Sequence, residues 1–180
     1  MKDDIESIII SEEQLKKRVA ELGAQLTEEY RDKNPIFIGI LKGSFVFMAD
    51  LVRNIDTICD LEFMAVSSYG NGTSTTGAVK IKMDLSRDIE NRHVIIVEDI
   101  LDTGVTLNYL VKYLGMRKPA SIKICALLDK KERRKAPIYP DYTGFDCPNA
   151  FIVGYGLDYA EKYRNLPYIG ILKKELYEND

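Results

Sequence analysis

The sequence predicts an α/β fold, a mostly parallel twisted sheet flanked by helices. Three observations carry the prediction. Short continuous apolar runs recur, at residues 36–41 (IFIGIL), 94–97 (VIIV) and 122–128 (IKICALL), as strands buried on both faces require. Stretches of helical period lie between them, and that alternation implies right-handed strand–helix–strand units. At 180 residues, 46% hydrophobic and 29% charged, the chain has the size and composition of one globular domain. A domain near this size buries roughly 70% of its unfolded surface, so it needs neither disulfides nor a structural metal.

Residues 11–30 read as a helix. Ser11 with Gln14 makes a capping-box pattern, and Leu15, Val19, Leu22 and Leu26 follow at helical spacing. Asn34-Pro35 is a stop before the run at 36–41. Lys42-Gly43-Ser44 breaks that strand, and Ser44 is placed to cap a second helix reaching about residue 55. Residues 61–67 read as a strand. In the stretch 67–77 (SSYGNGTSTTG), nine of eleven residues are Gly, Ser or Thr, so it cannot bury a core face and reads as a mobile loop. Residues 78–85 alternate Val79, Ile81 and Met83 with Lys80, Lys82 and Asp84, the pattern of a half-exposed strand. After the buried strand at 94–97, a helix runs from about residue 105 to 114 and ends at Gly115. Residues 129–149 are polar, with three prolines and the basic cluster DKKERRK. Residues 151–155 and 168–172 read as late short strands. No repeat or linker divides the sequence, so one domain spans 1–180.

The composition also excludes function classes. Net charge is 25 − 28 = −3, which disfavours general binding to nucleic acid or to an anionic membrane. No apolar run approaches the ~18 residues that cross a bilayer. The acidic start, MKDDIESIII, lacks a secretory core. Three widely spaced cysteines, Cys59, Cys125 and Cys147, form no zinc or redox pattern and fit a reducing, cytoplasmic compartment. The single histidine, His93, all but removes a catalytic triad or a multi-histidine metal site. Acid–base work near neutral pH then falls to a carboxylate, lysine or tyrosine.

The most informative stretch is VIIVEDILDTGVTL, residues 94–107. Glu98 and Asp99 stand where a buried strand emerges, and strand-end carboxylates can grip the vicinal hydroxyls of a sugar. Asp102-Thr103-Gly104-Val105-Thr106 then turns into a helix, whose first amides favour a phosphate. Gly104 lets backbone approach a ligand closely, and Thr103 and Thr106 add hydroxyl donors. A ribose phosphate meets both demands. Read alone, Asp102-Thr103 is also a plain helix cap. No Walker A loop and no GxGxxG after a strand occurs. In open α/β sheets ligands bind at the carboxyl ends of strands, so the loops after Leu41, Ser67, Val97 and Leu128 frame the site.

This stretch resembles the signature of type I phosphoribosyltransferases, which bind phosphoribosyl pyrophosphate (PRPP). ILKGSFVFMADL at 40–51, SSYG at 67–70, LLDKKERR at 127–134 and FIVGYGLDYAEKYRNLPYIGIL at 151–172 are similar to the short bacterial hypoxanthine (hypoxanthine-guanine) phosphoribosyltransferases. The resemblance spans nearly the whole chain in order, and VGYGLDY with its downstream Arg164 points to 6-oxopurines. It implies the type I fold, with a small hood from about 1–10 and 150–180 and a mobile lid at about 67–79. The implied reaction is purine salvage: ribosyl 5-phosphate passes from PRPP to hypoxanthine or guanine, giving IMP or GMP and pyrophosphate.

The resemblance also implies roles. Glu98 and Asp99 face the ribose hydroxyls and hold Mg²⁺ through water, and Asp158 holds a metal water. Asp102 is the acid–base residue at purine N7. Thr103, Gly104, Val105 and Thr106 hold the 5-phosphate together with Asp102. Lys42, Gly43, Ser68, Tyr69 and Arg164 meet the pyrophosphate. The Leu41–Lys42 peptide can be cis in the family, and Ser44 stands where a second Gly is common. Phe151 stacks on the purine, Lys130 donates to its 6-oxygen, and the backbone of Ile152 and of Asp158 meets its N1/N2 edge. From composition alone Phe151 and Ile152 read as core residues, Lys42 as a solvated loop lysine and Lys130 as part of a solvated basic cluster. Lys131, Arg133 and Arg134 read as a solvated face or a subunit contact. The implied partners are small molecules and a second copy, in a dimer or tetramer, with no nucleic acid and no membrane. A regulator on the same fold that binds RNA or DNA would want a basic face or an added domain; the net charge and the absence of an extra N-terminal domain argue against it. A xanthine-preferring transferase is the nearest alternative.

Overall fold

In the computed structural model, which describes residues 1–68 and 79–177, the chain opens with β1 (Ile5–Ile10) and α1 (Glu12–Glu29). Ser11 starts α1 through a complete capping box. Its hydroxyl accepts the Gln14 N–H at 3.2 Å, and the Gln14 carboxamide oxygen accepts the Ser11 N–H at 2.8 Å. The chain continues through β2 (Ile36–Leu41), α2 (Phe45–Arg53), β3 (Asp60–Ser68), β4 (Val79–Met83), β5 (His93–Leu101) and α3 (Val105–Gly115). It ends with β6 (Ser121–Asp129), β7 (Tyr142–Asp146), β8 (Ile152–Val153) and β9 (Ile169–Leu172).

Six strands form one sheet in the order β4-β3-β2-β5-β6-β7, parallel except for the β3–β4 pair. β1, β9 and β8 form a separate three-stranded antiparallel sheet. The apolar runs are continuous because both faces of the large sheet are covered. Phe37, Ile95, Val97, Cys125 and Leu127 pack with Leu15, Val19 and Leu22 of α1 and with Phe47, Met48 and Leu51 of α2. The alternate residues Ile36, Ile38, Ile40, Val94, Ile96, Ile124 and Ala126 pack with Leu107, Leu110 and Leu114 of α3. This period-2 alternation fixes the register, since a one-residue slip would exchange the two faces. Val153, Leu166 and Leu172 form a smaller third core under the antiparallel sheet. No helix among the described residues is long and apolar enough to cross a membrane.

The topology locates the crevice. From β2 the chain crosses by α2 to β3 on one side; from β5 it crosses by α3 to β6 on the other. Strand order therefore reverses between the neighbours β2 and β5, which is where ligands bind in open α/β sheets. The last β2–β5 partners are Gly39 and Val97. Beyond them Glu98, Ile100 and Leu101 pair only with β6, at Ala126, Leu128 and Asp129.

Several local readings need correction. β5 extends through Leu101, so the acidic pair lies within the strand and not past its end. The polar stretch 129–149 contains β7, whose Tyr142 and Phe145 pair with Cys125 and Leu128 of β6. Prolines on either side hid this strand. Ser44 precedes α2, but its side chain makes no cap; the buried hydroxyl donates to Ile40 O at 2.7 Å, tying the bend back to β2. α2 ends at Arg53, β8 spans only Ile152–Val153, and the strand at 78–85 shortens to Val79–Met83. Of the lid expected at about 67–79, residues 69–78 lie outside the described residues, Tyr69 among them, while Ser67 and Ser68 end β3 and Val79 starts β4. Of Ser68 only its backbone place is described, at the end of β3 opposite Val79.

Candidate functional site

The turn between β5 and α3 is built by Gly104. It takes φ +76° as the N-cap of α3, and a Cβ there would stand 2.6 Å from the Ile138 Cγ2. This left-handed conformation suits glycine. Asp102 therefore does not cap the helix, and of the expected Asp102-Thr103 cap only a weak Thr103 contact remains. No side chain caps the first turn; the Val105 N–H makes only a long 3.4 Å bond to the Thr103 hydroxyl. The amides at the start of α3 are thus left to an outside acceptor. They open on a cleft of about 200 Å³ whose lining includes Glu98, Asp99, Asp102, Thr103, Gly104 and Thr106.

Asp102 is poised at this cleft. Its Oδ1 is buried and has no hydrogen-bond partner, while its Oδ2 pairs with Arg133 at 3.3 Å. A buried acceptor without a donor is costly unless a ligand supplies one. Glu98 and Asp99 are half-buried side by side. Desolvation pushes Glu98 well above the usual carboxylate range, and the Asp99 charge and its hydrogen bond to Glu98 add to the rise. Desolvation also raises Asp99, against the Ile100 N–H donating to its Oδ1 at 2.9 Å and the more distant Arg164 charge. Two adjacent, partly desolvated carboxylates call for a cation or a donor-rich ligand.

Three segments interlock beside this pair. A Cβ on Gly43 would lie 1.8 Å from the Asp99 Oδ2, and one on Gly156 would lie 2.1 Å from the Gly43 carbonyl oxygen. The loop after β2 is therefore wedged between β5 and the turn after β8. The Leu41–Lys42 peptide bond is cis. Lys42 is exposed and pairs with Glu161 at 2.9 Å, which holds the Glu161 carboxyl below its usual range. Arg164 donates to the Gly156 carbonyl at 2.8 Å and pairs with Asp158 at 2.9 Å; its Nε is buried and partnerless. Lys42, Gly43, Asp158 and Arg164 thus come together with Glu98 and Asp99.

A second cavity, of about 430 Å³, has Lys130, Arg133, Ala150, Phe151 and Tyr177 in its lining. Lys130 is buried, not part of a solvated cluster, and its Nζ donates to the Ala150 carbonyl at 2.9 Å. An ammonium has three donors, so this bond leaves capacity for a ligand. Phe151 is 37% exposed, which removes the core reading for this residue. It stacks on Tyr177 at 4.6 Å between centroids, with Tyr159 edge-on at 5.4 Å. Ile152 is buried in β8, opposite Ile171.

Sequence reasoning missed Arg133, Tyr177 and Glu161 as neighbours of the site. The basic run 130–135 gives no periodicity that separates its members. Lys131 is exposed and pairs with Asp146, Arg133 reaches Asp102, and Arg134 is buried, so the solvated-face reading of Arg134 is wrong. His93 lies at the opposite end of β5, where it contacts Ser121 and Tyr30. Among the described residues no three His, Cys, Asp or Glu side chains gather to hold a metal by themselves.

Known proteins with this sequence pattern and shape agree with one another. The phosphoribosyl transferase domain model matches residues 8–160. The hypoxanthine-guanine phosphoribosyltransferase of Bacillus subtilis is 58% identical, covering 99% of each chain. That of Streptococcus pneumoniae is 53% identical with the same coverage. The crystal structure of a hypoxanthine phosphoribosyltransferase from Staphylococcus aureus superposes with a TM-score of 0.96 at 51% identity, covering 98% of this chain and 96% of the other.

Proposed function

This chain belongs to the phosphoribosyl transferase family, and from that premise we propose that it transfers the 5-phosphoribosyl group of PRPP to hypoxanthine and guanine. The products are IMP or GMP and pyrophosphate. The observation that carries the reading is Asp102, with a buried, partnerless carboxylate oxygen at the switch point, directly before an uncapped helix start.

The chemistry follows from that placement. A purine ring nitrogen attacks C1′ of the ribose, and the bond from C1′ to the pyrophosphate oxygen breaks. Positive charge develops on the sugar in a transition state of oxocarbenium character. The proton on N7 passes to the Asp102 carboxylate. The amides and hydroxyls of residues 103–106 hold the 5-phosphate, and Arg164, Lys42 and the Gly43 backbone receive the pyrophosphate. Such fixed donors act by positioning and by neutralising anionic oxygens. Lys130 donates to the purine 6-oxygen, Phe151 stacks on the ring, and the Ile152 and Asp158 backbone meets the N1/N2 edge. Xanthine, with an oxygen in place of the 2-amine, is used weakly.

The desolvated Glu98–Asp99 pair fits Mg²⁺, a hard cation that takes one or two carboxylates and keeps several waters. Asp158 would hold one of those waters. Held there, such a cation would supply positive charge against the anionic oxygens of the substrate. The chain's own residues then orient the sugar and move the proton. The test is product analysis by chromatography after incubation with PRPP, Mg²⁺ and hypoxanthine. IMP and pyrophosphate appear in equal amounts if the reading is correct. Pyrophosphate released without nucleotide would refute it.

A further inference from the structure

The proposed function leaves one buried charged pair unexplained, Asp129 with Arg134. Asp129 ends β6 with its side chain 4% exposed; Arg134 follows on the loop, 8% exposed. A buried arginine is costly unless its donors are used. Here all three guanidinium nitrogens are engaged. Nε donates to the Asp102 carbonyl at 3.0 Å, Nη2 to the Leu101 carbonyl at 3.2 Å and to the Asp129 carboxylate, and Nη1 to the Ile138 carbonyl. The backbone around Arg134 extends the same grip. The Lys130 N–H donates to the Leu101 carbonyl at 3.0 Å, and the Lys135 and Ala136 N–H groups donate to the Thr103 carbonyl at 2.9 and 3.1 Å. Three successive carbonyls, at 101, 102 and 103, are therefore bound from the 130–136 side. The Arg134 stem also closes on Gly104, where a Cβ would lie 3.0 Å from the Arg134 Cδ.

We propose that Arg134 is a positioning residue of the active site, clamping the bend at residues 101–104 and so fixing Asp102 against its substrate. The inference rests on the reading of Asp102 given above. Arg134 does not bind substrate, since it is buried and its nitrogens are already occupied. Nor does it act chiefly by charge, since Asp129 sits on it and offsets it. Its contribution is geometric, and only a planar fork reaches carbonyls at Leu101, Asp102 and Ile138 together. A lysine, with its donors on one atom, cannot.

The test is a double-mutant cycle on kcat between Arg134 and Asp102. Arg134→Lys should lower kcat roughly 10- to 100-fold in the otherwise native enzyme, the scale of a misplacement near 1 Å. In the Asp102→Asn background the same substitution should change kcat less than about threefold, because the group being positioned is gone. An equal loss in both backgrounds overturns the clamp while leaving Asp102 in place. A native kcat for Asp102→Asn alone removes the Asp102 reading, and the clamp with it. Arg134→Ala supplies an independent measurement, since added guanidinium ion should enter the vacated space and restore part of its turnover. If Arg134→Lys loses its cooperative melt and guanidinium fails to rescue Arg134→Ala, Arg134 belongs to folding alone and the proposal is wrong.

Discussion

Replacing Gly43 by alanine should disable the PRPP side of the site and leave base selection intact. The added Cβ would lie 1.8 Å from the Asp99 Oδ2 and 2.5 Å from its Cγ, about 1.6 Å short of ordinary contact at 3.4 Å. The loop cannot simply recoil, because its carbonyl is pressed against Gly156, so closely that a Cβ on Gly156 would lie 2.1 Å from that oxygen. Asp99 must swing instead, and its Oδ1 is tethered to the Ile100 N–H at 2.9 Å. Overpacking of this kind costs about 1–3 kcal/mol. In a domain of this size each kcal/mol lowers Tm by roughly 2–4 °C, so the melt should fall by several degrees without losing cooperativity. The larger effect is on rate. A displacement of about 1 Å in a positioning carboxylate costs on the order of 10²-fold. Initial rates of IMP formation against PRPP concentration should show that loss in kcat/KM. The preference for hypoxanthine over adenine should not move, since Lys130 and Phe151 are untouched. A Gly43→Ala enzyme whose kcat/KM for PRPP stays within about threefold of native would refute the wedging of the β2 loop between β5 and the turn after β8 as a determinant of the site.

Asp102→Asn should fold normally and lose roughly 10²–10⁴-fold in kcat, the usual worth of a general acid–base group; thermal melts and turnover measured together check both halves. Activity should vanish in excess EDTA and return with Mg²⁺, because in the proposed reading the adjacent carboxylates of Glu98 and Asp99 would face a polyanionic substrate; full activity in EDTA would sink the metal assignment. Burial pushes the Cys125 thiol up to about 12 from an ordinary 9.0. The neutral thiol therefore favours the folded state fully below pH 9 and progressively less as pH rises toward 12. Cys125→Ala should show a smaller fall in Tm across that window than the native protein, and identical alkaline slopes would count against this assignment.

The strands and helices were legible where one signal dominated. Continuous apolar runs marked β2, β5 and β6, because burial on both faces leaves no polar positions. The capping box marked the start of α1, because Ser11 and Gln14 satisfy each other locally. β7 was hidden because its five residues alternate only weakly and lie among prolines. In the site, the 94–107 stretch was legible as a unit and its residues line the cleft, yet the stretch could not distinguish Asp102 as a cap from Asp102 as a carboxylate with one oxygen left unpartnered toward the cleft. That choice depends on Gly104 taking the N-cap at positive φ, a backbone fact. The basic run 130–135 was less legible still. Whether Lys130 and Arg134 are buried is decided by β6 ending beneath the 101–104 bend, a contact between segments some thirty residues apart. Tyr177 against Phe151 is a similar long-range meeting that carries no local pattern.

The central claim, transfer to a 6-oxopurine, is tested most directly by kcat/KM for hypoxanthine, guanine and adenine with PRPP and Mg²⁺. Lys130 is a buried donor-only group. In the proposed role it would meet an acceptor oxygen at C6 of hypoxanthine or guanine, and an amine at C6 of adenine. A site built around such a bond can reject the wrong partner by ~10⁴ or more. Hypoxanthine and guanine should both be good substrates, with adenine lower by about that factor. Adenine used as well as hypoxanthine would contradict the assignment.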